Sequence, residues 1–136
     1  MIAKKTDKAS LSTLIKELDG LFSEWIRRGN ADSTGKCKCF ICGKKARWQE
    51  CQLMHYVDRD QMALRYEVRN CYPGCESCNC FDDKHHERFR EAILKSQGQQ
   101  VLDFLDMKKR SLQKWFTWEL QERIDYLKVE LKKMKS

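Results

Sequence analysis

Two cysteine pairs, Cys39 with Cys42 in "CFICG" and Cys75 with Cys78 in "CESCN", constrain this chain more than any other feature. Each CxxC pair presents two thiolates from one tight turn, and 32 residues separate the pairs. Zinc takes four tetrahedral ligands, so two such knuckles complete one closed structural site. A simple zinc ribbon places roughly 15–20 residues between its pairs. The longer interval here has room for a whole β-hairpin, and the metal is expected to join the beginning of that hairpin to the start of a helix. A chain of 136 residues favours one domain with a modest core, to which a structural metal adds stability.

Disulfides are the competing use for eight cysteines. The start "MIAKKTDKAS" has no apolar h-region, and no apolar run approaches the roughly 18 residues that span a bilayer. The expectation is a cytoplasmic protein without membrane contact, in a compartment that keeps thiols reduced. Cys37, Cys51, Cys71 and Cys80 then read as small buried thiols, although a second metal site is open to them.

The formal charge of +7 suggests a polyanionic partner. Its distribution says more than its size. From Lys36 to Arg47 there are five basic residues and no acid, and Lys44, Lys45 and Arg47 follow the first knuckle directly. A basic surface beside a metal site points to nucleic acid.

The expected fold class is α+β: a small zinc-braced core over 36–97, an N-terminal helix within 1–30 and a helical extension over 98–136. Leu11, Leu14, Ile15, Leu18, Leu21, Phe22, Trp25 and Ile26 form one helical stripe, with Ser10 or Ser12 as N-cap and Gly29-Asn30 as the stop. "WQECQLMHYV" and "ALRYEV" read as two antiparallel strands. A helix is expected from the second knuckle to about Ser96, ended by Gly98, with a shorter one over "QQVLDFLDMKK". The last helix is expected to open at Ser111 and bury Leu112, Trp115, Phe116, Trp118, Leu120, Ile124, Leu127 and Leu131, with some surface left for a homodimer.

A closed zinc site does no chemistry, but other polar residues stand nearby. A helix starting around Asn79 would put Asn79 and Asp83 on one face at i and i+4, where one oxygen from each reaches a hard divalent ion such as Mg2+ or Mn2+. His55, in "LMHYV", has an ordinary pKa that suits a general base. Asn70 follows 15 residues later, which gives the order His…Asn…CxxC-Asn.

"CFICG", "MHY", "LRYEVRN" and "CESCN", in this order and spacing, resemble the HNH or ββα-metal nucleases, and more closely the NinG (Rap) recombination endonucleases of lambda-like bacteriophages. "GQQVLDFLD" and "WFTWELQERIDYLKVELKKM" resemble that family's C-terminal part. The resemblance implies an HNH-like core and a metal-dependent endonuclease cutting branched DNA such as Holliday junctions or D-loops, in the host cell's cytoplasm. It implies that His55 activates water, that Asn70 ties down the loop between the strands and orients the histidine, and that Asn79 and Asp83 hold the catalytic ion. Arg65, Arg69 and Lys84 join Lys44, Lys45 and Arg47 as expected phosphate contacts.

One departure matters. Many HNH enzymes place a metal ligand just before the catalytic histidine, where this chain has Met54. That leaves open His55 as a ligand itself, and Asp82, His85 or His86 in place of Asp83. It also keeps an alternative in view, a zinc-stabilised DNA-binding module without catalysis.

Overall fold

The computed structural model describes the backbone of residues 3–80 and 83–134, and the side chains of 11–80 and 83–134. It is α+β, and the chain divides into two compact units, one of Ile26–Gln113 and one of Met1–Trp25 with Lys114–Ser136.

The larger unit holds two small antiparallel sheets. Strand β1 (Lys36–Lys38) pairs with β2 (Lys45–Arg47) as a hairpin whose loop is the first knuckle. Gly43 makes that loop possible. It takes φ 79°, a left-handed conformation open to glycine, so its N–H reaches Cys39 O at 2.8 Å while Cys39 N–H reaches Lys44 O at 2.8 Å. Strand β3 (Gln52–His55) pairs with β4 (Cys71–Gly74), with Met54 opposite Tyr72 and His55 opposite Cys71. Phe40 N–H donates to Pro73 O at 2.9 Å and so fastens the first knuckle to the strand that leads into the second.

The expected partner of β3 was "ALRYEV", and here the structure differs. Residues 61–70 run as successive tight turns that end in a 3-10 turn, Val68–Asn70, and the partner strand is "CYPG". Leu64 and Tyr66 are buried as loop anchors, which imitates the alternation of a strand. Pro73 is tolerated because β4 pairs only with β3 in its sheet, so the missing N–H breaks no second ladder.

Helix α2 (Asp83–Gln97) covers these strands. Phe89 presents its edge to Phe40, Tyr56 and Tyr72 at centroid distances of 6.1, 5.4 and 5.9 Å, and Phe40 stacks on Tyr72 at 4.0 Å. Gly98, at φ 93°, ends α2 through bonds to Ile93 O and Leu94 O and lets α3 (Gln99–Lys108) turn back. Met54, Leu64, Ile93, Leu102 and Leu105 complete the core around the buried cysteines Cys39 and Cys78. Full burial of a side chain such as Ile93 or Leu105 contributes about 1.5–3 kcal/mol.

In the smaller unit, α1 (Ala3–Gly29, its last turn belonging to the larger unit) starts well before Ser10, and α4 runs Thr117–Met134. Leu18 and Phe22 are buried on α1, and Leu120, Ile124, Leu127 and Leu131 on α4; Lys128 meets Glu17 at 3.2 Å. The last helix therefore opens six residues later than Ser111 suggested. Its start is set by Glu119, whose carboxylate accepts the Phe116 N–H at 3.0 Å, one half of a capping box. Leu112, Phe116 and Trp118, expected in its buried stripe, are exposed. Among the described residues no helix is long and apolar enough to cross a membrane.

Candidate functional site

The sulfur atoms of Cys39, Cys42, Cys75 and Cys78 all lie within 4.8 Å of one another. Cys42 Sγ and Cys75 Sγ are 3.7 Å apart, close to the roughly 3.8 Å edge of a tetrahedron with ~2.3 Å Zn–S arms. Cys39 and Cys78 are buried and Cys42 is exposed, so the cluster sits at the rim of the core. Its thiols do not ionise alike. Burial opposes ionisation of Cys75, but the Ser77 hydroxyl, the Cys78 N–H and the neighbouring thiols outweigh it and bring it down to about 6. Burial and the adjoining sulfurs raise Cys78. For Cys42 the Lys44 N–H favours the thiolate, yet burial and the thiols of Cys39 and Cys75 win and raise it. One thiolate forms readily and its neighbours resist, which is the behaviour of a cluster that needs a cation to become fully ionised. The four residues suit a structural metal ion such as zinc.

His55 is half-buried at the end of β3, and its Nε2 lies 3.0 Å from Arg65 O. A carbonyl only accepts, so Nε2 is the donor in this contact. Asn70, the one buried polar residue among those described, holds the loop that supplies this carbonyl. Its Oδ1 accepts the Val57 N–H at 2.8 Å, and its Nδ2 donates to Val57 O at 3.0 Å and Leu64 O at 3.1 Å. The two ends of the loop are thereby pinned across 13 residues, with Arg65 next to one of the pins. Met54 points the other way, into the core, as the alternation of a strand requires.

The expected face shared by Asn79 and Asp83 is not formed as foreseen. Asn79 closes the turn of the second knuckle, its N–H bonding Cys75 O at 3.1 Å, and the described part of α2 runs from Asp83. The amide nitrogen of Asn79 donates to Gln52 Oε1 at 2.7 Å, at the start of β3, roughly 10 Å along the strand from His55. Asp83 is exposed in the first turn of α2. His86, one turn on, stacks on Tyr56 with centroids 4.5 Å apart and brings Nε2 to 3.0 Å from Tyr56 O. That contact sets the first turn of α2 against the residue that follows His55. His85 is half-buried on the same turn, and Asp82 lies outside the described residues.

Of the basic residues, Lys44, Lys45 and Arg47 are exposed on the β1–β2 hairpin and Lys84 on α2. Arg69 is engaged within the fold by Glu67 at 2.9 Å and by the Phe104 ring at 3.7 Å. Arg65 donates to Arg59 O at 3.2 Å. Sequence reasoning missed the larger feature, a groove of about 1140 Å3 beside the first knuckle, lined by Lys36, Lys38, Lys45, Arg88 and Lys95 and balanced in part by Glu91 and by Asp32, which meets Lys45 at 3.8 Å. Arg88 and Lys95 stand seven positions apart, two turns on one face of α2, and that spacing was the available signal.

The family model described as Bacteriophage Lambda NinG protein matches residues 2–136, and the chain belongs to the NinG family. No curated protein and no solved structure matches it.

Proposed function

We propose that this NinG-family protein is a metal-dependent DNA endonuclease of the HNH, or ββα-metal, kind that hydrolyses phosphodiester bonds in branched recombination intermediates such as Holliday junctions or D-loops. The observation that carries the reading is the relay from Asn70 through the 57–70 loop to Arg65 O and so to His55. A buried amide spent on loop backbone, in order to fix one tautomer of a half-exposed imidazole, is what a general base requires.

In this reading His55 takes a proton from a water molecule as that oxygen bonds to phosphorus, and the P–O3′ bond breaks. When bound, a divalent Mg2+ or Mn2+ ion would supply Lewis-acid polarisation of the phosphate. Asp83, exposed in the first turn of α2, is the oxygen donor proposed to hold it. The zinc quartet takes no part in bond breaking and keeps β4 and the start of α2 in register. The basic groove and the exposed Lys44, Arg47 and Lys84 hold the sugar-phosphate backbone, which carries affinity without base readout. Trp118, Tyr126 and Val129, exposed on one face of α4, are the proposed contact of a homodimer that cuts two strands.

One observation favours the alternative of a non-catalytic, zinc-stabilised DNA binder. Met54 fills core space where many HNH enzymes keep a metal ligand. A gel assay of zinc-loaded protein on branched and linear duplexes, with Mg2+ or with chelator, separates the two. Mg2+-dependent nicks in the branched substrate support the enzyme. Tight binding with intact strands under every metal condition refutes it.

A further inference from the structure

Two of the cysteines outside the quartet meet inside the larger unit. Cys37 is the middle residue of β1, and Cys51 ends the turn that enters β3. Their sulfur atoms are 3.0 Å apart, closer than the 3.7 Å between Cys42 and Cys75 and about one ångström beyond a bonded S–S pair. Both are buried, at 1% and 7% exposure, so the approach is not a chance meeting of surface side chains.

The backbone holds each partner independently. Cys37 is paired with Ala46 in the β1–β2 ladder. Cys51 N–H bonds Arg47 O and Trp48 O, and its sulfur lies 3.7 Å from Ala46 O. Arg27 donates to Trp48 O at 3.0 Å and Cys51 O at 3.4 Å while its guanidinium stacks over the Trp48 ring, which clamps the turn from outside. The zinc quartet is complete without this pair. Cys71 and Cys80 sit elsewhere, beside Arg65 O and Ser77 O.

We propose that Cys37 and Cys51 form a redox-active dithiol that closes to an intramolecular disulfide when a small-molecule disulfide, such as oxidised glutathione, accepts the electrons. Cys51, the less buried of the two, bonds to one glutathione sulfur and releases the first glutathione thiol. Cys37 then attacks the Cys51 sulfur and releases the second. Two protein thiols lose two protons and two electrons, and one small disulfide becomes two thiols. The new bond ties the hairpin that carries Lys36, Lys38 and Lys45 to the entry of β3. This site does not depend on the nuclease reading.

The test uses the zinc-loaded chain of 136 residues in glutathione buffers of increasing oxidised fraction. Samples are acid-quenched and alkylated, then analysed by intact mass and non-reducing peptide mapping, with zinc release followed by a chromogenic chelator. The expected result is loss of two hydrogen masses, one linkage joining the Cys37 and Cys51 peptides, retained zinc and full reversal by dithiothreitol. Closing so short a loop also raises the melting midpoint by roughly 10 °C. Cys51→Ala is expected to abolish the linkage and leave Cys37 alkylatable. Should Cys37 and Cys51 stay alkylatable at every ratio, pair with Cys71 or Cys80 instead, or join only after zinc has left, the proposal is overturned.

Discussion

Replacing Asn70 with alanine removes three hydrogen bonds at once, one from Val57 N–H at 2.8 Å and two to Val57 O and Leu64 O at 3.0 and 3.1 Å. Asn70 is fully buried, so water cannot easily take over these partners. A buried hydrogen bond contributes about 1 kcal/mol net, and each partner left unsatisfied costs about 1–3 kcal/mol. Some relaxation of the loop is expected, and the carbonyls tolerate loss better than the N–H. The expected destabilisation is therefore about 3 kcal/mol, a large share of the ~5–15 kcal/mol of an ordinary domain. The assay is urea unfolding of zinc-loaded protein followed by circular dichroism. The midpoint should fall by about 2 M with little change in slope. Asn70→Asp is the sharper companion. It keeps an acceptor for Val57 N–H but sets a carboxylate oxygen against two carbonyls, so it should be no more stable than the alanine variant. A loss below about 1 kcal/mol for alanine, or an aspartate variant as stable as the parent, would refute the assignment of Asn70 as the clamp of this loop.

Gly74 lies beneath Met54, and a Cβ there would come within 2.2 Å of Met54 Sδ and 2.7 Å of its Cγ. Gly74→Ala should overpack the core and cost about 1–3 kcal/mol, measured in the same urea experiment; an unchanged midpoint would mean Met54 is not wedged there. Chelating the metal, or Cys75→Ser, should unfold the larger unit, seen as collapse of amide dispersion in a heteronuclear NMR spectrum, whereas a well-dispersed metal-free spectrum would contradict a zinc-dependent core. Cys75 has its pKa lowered from 9.0 to about 6, so it is ionised above that pH and protonated below it. Each zinc bound should then displace about 0.7 more proton at pH 5.5 than at pH 7.5, read by calorimetry in buffers of differing ionisation enthalpy; equal proton release would argue against a preformed thiolate.

The parts of this fold that could be read from the sequence are those governed by short, local rules. The two knuckles follow from CxxC spacing, and α2 and α3 follow from a stripe that includes Phe89 and Ile93, the segment "QQVLDFLDMKK" and the stop at Gly98, although Leu94, expected in that stripe, is exposed. The β1–β2 hairpin was invisible because three residues with one apolar position, Cys37, cannot display alternation. Leu64 and Tyr66 misled because anchors of a buried loop carry the same apolar-polar alternation as a strand, while the true strand "CYPG" has the composition of a turn. In α4, Trp118 and Phe116 were placed inside on hydrophobicity alone, yet the register is set by Leu120, Ile124, Leu127 and Leu131 and by the Glu119 cap. For the site, residue types and order marked His55 and Asn70. What links them is backbone, the Arg65 carbonyl and the Val57 and Leu64 peptide groups, which a sequence does not display.

The proposed role of His55, held at Nε2 by Arg65 O, is that of the base in phosphodiester hydrolysis. It is tested most directly by single-turnover cleavage of a four-way DNA junction with Mg2+, comparing zinc-loaded parent and His55→Ala at matched junction affinity and matched melting midpoint. The expected result is cleavage by the parent and a loss of at least ~100-fold in rate for the variant, within the range general-base catalysis supplies. An unchanged cleavage rate in the variant, or no cleavage by the parent, would contradict it.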